Sequence, residues 1–253
     1  MPPTDTRYVH EVGAMLQRVA KPAYRRVRRM WRAAPYRLAQ AGQRIDDAAI
    51  ALTFDDGPGL YTSEVLDVLA EHQVVATFFL VGRNAEAAPS LVARMLEEGH
   101  GIASHSLTHP DPHGLSARKL FIEYRDGRRA VEQVTQRDVP LFRPPKGYLQ
   151  PAGALAARAA HSGTWLWSRG GNDWSPENSA EEILELMTPV QPGDVVLLHD
   201  APRDRRPQTV TALKEYLSIA HEGGASFVRL EDAHVSAAGH GQPRIPYRPR
   251  AED

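Results

Sequence analysis

The sequence predicts an α/β protein built on a parallel sheet, closed as a (β/α) barrel or open and doubly wound. Three observations predict it. Short apolar runs alternate with helix-period segments about seven times between Ala48 and Leu230. The runs are nearly continuous in apolar residues, as in VVLL, which suits strands covered on both faces. At 253 residues the chain also has the length at which α/β barrels form one unit.

Taken in order, AIALTF reads as a strand and TSEVLDVLAEH as the helix after it. VATFFLV is followed by the helix APSLVARMLEEG, GIASHS by SARKLFIEYRDGRRAVEQVT, and LFRPP by PAGALAARAAHSG. The strand GTWLWS, the helix SAEEILELMT, the strand DVVLLHD, the helix RPQTVTALKEYLSIAHEG and the strand SFVRL complete the series. This unit spans 48–235. Residues 236–253, rich in Pro, Gly and Arg, have little to bury and are expected to form a flexible tail.

Residues 1–47 precede the alternation. Every formal charge between Glu11 and Asp46 is positive, and Val27, Met30, Trp31, Ala34 and Leu38 recur at helical spacing. A basic amphipathic helix broken near Pro35 is expected. Its apolar stripe either packs on the main unit or makes peripheral contact with an anionic membrane surface.

Thirty basic against thirty-one acidic residues give a net charge of −1, so no overall field draws the protein to nucleic acid, and no nucleic-acid module is recognised. Cysteine is absent, which excludes disulfides, thiolate metal sites and a cysteine nucleophile. Any metal must be held by His and carboxylate. No uncharged apolar stretch of signal-peptide or membrane-span length occurs near the start, and Arg28, Arg29, Arg32 and Arg37 interrupt the region after the Arg25-Arg26 pair, so a cytoplasmic protein is expected. No oligomeric state is assigned.

The informative polar residues follow strand ends. Asp55 and Asp56 follow ALTF, His105 follows GIAS, Arg143 follows LF, Asp173 and Trp174 come after TWLWS, and His199 and Asp200 follow VVLL. Strand C-termini of a parallel α/β fold share one rim, so these residues converge there. Adjacent acids repel and resist desolvation, and a cation is the natural counterweight. His105 and His109, four apart, can aim both imidazoles at one point, and two imidazoles with one carboxylate leave positions open for water. Each feature has a plain alternative: Asp-Asp before Gly-Pro as a turn, HxxxH as a surface pair, Trp165 and Trp167 as core. Spacing does not decide which aspartate meets the metal. His113 is set aside as a third ligand because Pro110 and Pro112 interrupt the spacing.

The segments TFDDGP, HSLTHP, FRPPKGY, NDW and LLHD stand in the order of the five motifs of the polysaccharide deacetylases, carbohydrate esterase family 4, and the chain resembles that family from Ala48 to Leu230. The resemblance implies a distorted (β/α) barrel of about seven parallel strands, and a divalent metal held by Asp56, His105 and His109. Zinc is the expected ion, with cobalt or another divalent ion as the alternative. It further implies Asp55 as catalytic base, Arg143 as its orienting partner, the Lys146 N–H as an oxyanion donor, and His199 as general acid tuned by Asp173. Trp174, Leu197 and Pro144 would line the substrate pocket. Two positions depart from the family pattern: Lys146 stands where Tyr usually follows RPP, and Gly170 stands where a second acid commonly precedes DW, so Arg143 is expected to lack one partner.

These residue types suit amide hydrolysis, which needs an activated water, a stabilised oxyanion and a protonated leaving nitrogen. A metal-dependent hydrolase removing an N-acetyl group from an amino sugar is the expected function, the sugar being an oligosaccharide, a conjugate or a sugar-bearing intermediate. The alternatives are a same-fold amidohydrolase acting on a small amide, ureide or cyclic imide, and a catalytically silent sugar-binding protein.

Overall fold

A computed structural model of the chain describes Ile45 and residues 49–149, 151–161, 163–189, 191–201 and 207–233. The expected basic extension and tail lie outside the described residues, Ile45 apart.

The first strand, β1 (Ala49–Asp55), is buried along its whole length because it lies inside the sheet. It pairs in parallel with β2 (Thr77–Leu80) on one side and β7 (Val195–His199) on the other. The sheet runs β5 (Gly163–Thr164), β4 (Leu141–Phe142), β3 (Gly101–Ser104), β2, β1, β7, β6 (Arg169–Gly170), and β8 (Ser226–Phe227) adds to the start of β1. Among the described residues every pairing of these eight strands is parallel. Seven strands on the path of one curled sheet, with β8 off it, thus form the distorted (β/α) barrel that the family resemblance implies, one of the two architectures the alternation allows.

The two ends of that order belong to one stretch of chain. Residues 163–170 pair β4 with their first part and β7 with their last, so the chain itself crosses the gap in the ladder. Trp165 N–H donates to the Phe142 carbonyl at 2.8 Å, and Ser168 N–H donates to the Val195 carbonyl at 3.0 Å. GTWLWS therefore is not one strand: the ladder changes partner inside it, and Arg169–Gly170 is an additional strand that periodicity does not signal.

Side chains alternate across the sheet. Ile50, Leu52, Phe54, Phe78, Leu80, Val196 and Leu198 face the helices in the main core, whereas Ala51, Phe79, Ala103 and Val195 face inward with Trp165. The Phe54 and Phe78 rings stack at 5.1 Å. Full burial of such a side chain stabilises by roughly 1.5–3 kcal/mol. The period of two places Thr53 and Asp55 inward above Ala51.

The α-helices among the described residues are α1 (Thr62–Glu71), α2 (Gly82–Ala87), α3 (Pro89–Glu97), α4 (Ala117–Thr135), α5 (Pro151–Ala160), α6 (Ala180–Met187) and α7 (Gln208–Glu222). Six match the expected helical segments. The exception, α2, is too short to show a period. In α4 the Ser116 hydroxyl caps the Lys119 N–H, and Leu120, Tyr124, Gly127, Val131 and Thr135 bury one face at steps of four and three. Among the described residues no helix is long and apolar enough to cross a membrane.

Candidate metal centre and active site

Arg143 follows β4 and lies wholly buried inside the barrel. Its guanidinium stacks 4.0 Å above the Phe79 ring centroid. Nη1 donates to Asp55 Oδ1 at 2.7 Å and to Thr53 Oγ1 at 2.9 Å, Nε to the Trp165 carbonyl at 3.3 Å, and Nη2 to the Leu166 carbonyl at 3.0 Å. Arg143 therefore has a partner for each of Nε, Nη1 and Nη2 without an acid at position 170: beside Asp55, these are a hydroxyl and two carbonyls from the ladder gap. The Asp55 side chain, itself buried, is left with one oxygen clamped and Oδ2 turned toward His105 Nε2 at 3.6 Å.

Asp56 turns out of the strand with φ +75°, so its carboxylate reaches the same His105 Nε2 that Asp55 Oδ2 approaches, where a regular strand would point the two acids to opposite faces. The Asn84 amide donates to the Asp56 carbonyl at 2.7 Å and the Val81 N–H donates to the Gly57 carbonyl at 3.0 Å, which hold this uncommon backbone. Asp56 Oδ1 lies 3.5 Å from His105 Nε2 and 3.2 Å from His109 Nε2. Ligand atoms of a tetrahedral ion with bonds of about 2.0–2.1 Å lie about 3.3–3.4 Å apart, so the three side chains fit a metal of zinc's size. The ligand atoms of Asp56, His105 and His109 lie within 4.8 Å of one another.

The tautomer agrees. His105 Nδ1 sits 2.7 Å from the Arg143 carbonyl, which can only accept, so Nδ1 carries the proton and Nε2 presents a lone pair. Burial, then the neighbouring His105, lowers the His109 pKa to about 4, keeping it a neutral imidazole. The loop between the histidines reverses sharply: Ser106 and His109 have φ +72° and +55°, and the Ser106 hydroxyl accepts the His109 N–H at 3.0 Å.

On the opposite side His199 ends β7. Its Nδ1 lies 2.9 Å from Asp173 Oδ1, while Asp173 Oδ2 accepts from the His199 N–H at 2.8 Å and the Thr209 hydroxyl at 3.1 Å. Burial alone would lower the His199 pKa, but the charge and hydrogen bond of Asp173, with Asp56 and Asp55 behind, raise it to about 10. The next residue, Asp200, stands at the same strand end and was given no role from the sequence. It is fully buried, accepts from the Thr62 hydroxyl at 2.5 Å, and lies against Gly57, where an added Cβ would come within 2.4 Å of its Oδ2. Burial pushes its carboxyl up to about 7. The signal for it was the glycine after the acid pair, which makes room for that carboxyl.

The rim residues are placed unevenly. Lys146 has φ +58° in the turn Pro145–Gly147, and its ammonium pairs with Asp111 at 3.0 Å, so the added charge is answered across the rim. Pro144 is buried beneath that turn. Leu197 is an inward residue, the register partner of Thr53 and of Gly170. Trp174 is 46% exposed, unlike a core tryptophan. Asp55, Asp56, His105, His109 and Arg143 are thus linked through side-chain contacts, His199 and Asp173 form a second linked pair that the register of Asp55 with His199 sets beside them, and Lys146 and Trp174 stand at the edge.

The sequence pattern of one family, described as polysaccharide deacetylase, matches residues 42–162. A peptidoglycan-N-acetylglucosamine deacetylase of Bacillus cereus is 36% identical over 190 residues, covering 74% of this chain and 88% of that protein. A chitooligosaccharide deacetylase of Sinorhizobium fredii is 34% identical over 197 residues, covering 74% of this chain and 92% of that protein. The crystal structure of a peptidoglycan N-acetylglucosamine deacetylase in complex with 4-naphthalen-1-yl-N-oxidanyl-benzamide superposes with a TM-score of 0.69 at 31% identity, covering 76% of this chain and 90% of that one.

Proposed function

The chain belongs to the polysaccharide deacetylase family, and from that premise we propose that it removes an N-acetyl group from an amino sugar by metal-dependent hydrolysis. One observation carries the reading: Asp56 Oδ1 and two imidazole Nε2 atoms meet at ligand-to-ligand distances beside an Asp55 locked on Arg143. Two neutral imidazoles and a carboxylate suit zinc, with cobalt or another divalent ion as substitute.

Bound there, a zinc ion would lower the pKa of water from ~15.7 to about 7 and polarise the acetyl carbonyl. Asp55 takes the proton of the attacking water. Arg143 occupies Oδ1, so Oδ2 is the oxygen that receives it. The backbone N–H of Lys146 donates to the oxyanion, a contribution of about 3–4 kcal/mol for one well-placed donor. His199 delivers a proton to the leaving nitrogen: Asp173 engages Nδ1, so Nε2 is the donor. Trp174, Leu197 and Pro144 line the acetyl pocket, and residues 48–235 form the catalytic unit.

The relatives are named for peptidoglycan N-acetylglucosamine and for chitooligosaccharides, and an N-acetylated glucosamine in an oligosaccharide or conjugate is the substrate class they favour here. Acetate release from a panel of N-acetylated sugars, with and without chelator, tests the reading. Chelator-sensitive acetate release supports it; ammonia or ring-opened product from ureides or cyclic imides, with no acetate from sugars, overturns the substrate assignment.

A further inference from the structure

The peptide that joins the two histidines is gripped from both sides by groups that belong to neither motif. On one side the start of α2 donates to it: Gly82 N–H to the Ser106 carbonyl at 2.9 Å and Arg83 N–H to the Leu107 carbonyl at 3.0 Å. On the other side lies one turn of α4. The Leu107 N–H donates to the Glu123 carbonyl at 3.0 Å, although Glu123 stands inside the helix. The Glu123 carboxylate accepts from the Thr108 N–H at 3.1 Å and from the Thr108 hydroxyl at 3.1 and 3.2 Å.

So close an approach of a loop to a helix backbone requires a missing side chain. Gly127, one turn after Glu123, provides it. A Cβ there would stand 2.2 Å from the Ser106 carbonyl carbon and 2.5 Å from the Leu107 nitrogen, both backbone atoms that no rotamer change can move. In an ordinary helix interior alanine replaces glycine with a gain in stability, so a glycine at this buried position answers the loop and not the helix.

We propose that the Glu123–Gly127 turn of α4 is the positioning element of the metal centre: it holds the Ser106–Leu107 peptide so that His105 and His109 reach the same point. This inference rests on the metal reading of Asp56, His105 and His109. Neither Glu123 nor Gly127 touches the ion or the substrate. They act through the loop, and their effect belongs to affinity, in the range of about 10–100-fold that outer contacts of metal ligands typically command.

The test is zinc affinity of the full chain, measured by competition with a chromophoric chelator, beside thermal unfolding of the metal-free protein. Gly127→Ala and Glu123→Ala are expected to weaken zinc binding about 10–100-fold. Glu123→Gln keeps an oxygen for the Thr108 N–H and is expected to recover most of the affinity. If Gly127→Ala does not fold, the Glu123 pair decides alone. Zinc binding within twofold of the parent in Glu123→Ala, while His109→Ala loses it, overturns this inference and leaves the metal centre standing. A parent chain that takes up no zinc overturns the metal reading itself.

Discussion

Asp55 and His199 are register partners on the adjacent parallel strands β1 and β7. Both end their strands at the same level, roughly 4.8 Å apart in the pairing direction. Each is clamped by a different group: Asp55 by a buried guanidinium, His199 by a buried carboxylate. In the proposed mechanism the opposite charges on the two clamps divide the pair into a proton acceptor and a proton donor.

Removing either member is expected to lower kcat by about 100- to 10,000-fold. Asp55→Asn and His199→Ala are the variants, and zinc content by elemental analysis should stay at the parental level because neither belongs to the Asp56, His105, His109 set. Parental turnover in either variant contradicts its assigned role.

The activity profile should fall at high pH as His199 loses its proton. Burial opposes the charge, yet Asp173 and the acids behind it raise the pKa to about 10. A cation bound at the metal centre cancels the pull of Asp55 and Asp56, so the limb of the loaded protein lies below that value. Asp173→Asn should move this basic limb of kcat downward by about 1–3 pH units. An unmoved limb removes Asp173 from the tuning of His199. For stability the sign is the same: a raised imidazole pKa stabilises fully below about 6.5 and the contribution is lost as pH rises through 10.

Arg143 should matter to folding as well as to turnover. Arg143→Met removes one partner of a buried pair and leaves Asp55 uncompensated, a loss of about 3–5 kcal/mol. Urea denaturation with circular dichroism measures it, and a midpoint equal to that of the parent contradicts the interior ion pair.

Asp200 predicts an unusual slope. Its folded pKa is raised to about 7 by burial, so between about pH 4 and 7 the folded chain holds a proton that the unfolded chain releases. Stability contributed by this group is therefore highest at the acid end and declines as pH rises through 7. In metal-free protein, subtracting the Asp200→Asn curve from that of the parent should expose this decline; parallel curves contradict it.

Most of the barrel and the placement of the candidate site residues were legible in the sequence because both rest on local patterns. Apolar runs mark β1, β2, β3 and β7, and Asp55, His105, Arg143 and His199 each sit at the end of a strand or just after it. What escaped were features set by partners distant in sequence. The split of GTWLWS depends on β4 and β7 competing for one stretch of chain. Asn84, Glu123 and Gly127 meet the backbone of loops distant in sequence, so no spacing announces them. The expected gap at Arg143 was filled by carbonyls, which every residue carries and no sequence motif can flag.

In the proposed mechanism a divalent ion at Asp56, His105 and His109 makes water the nucleophile. Exhaustive chelation followed by titration with zinc, read as acetate release from an N-acetylated chitooligosaccharide, tests it most directly. Release that falls to background and returns in proportion to zinc bound is the predicted result. Undiminished release from metal-free protein contradicts the account.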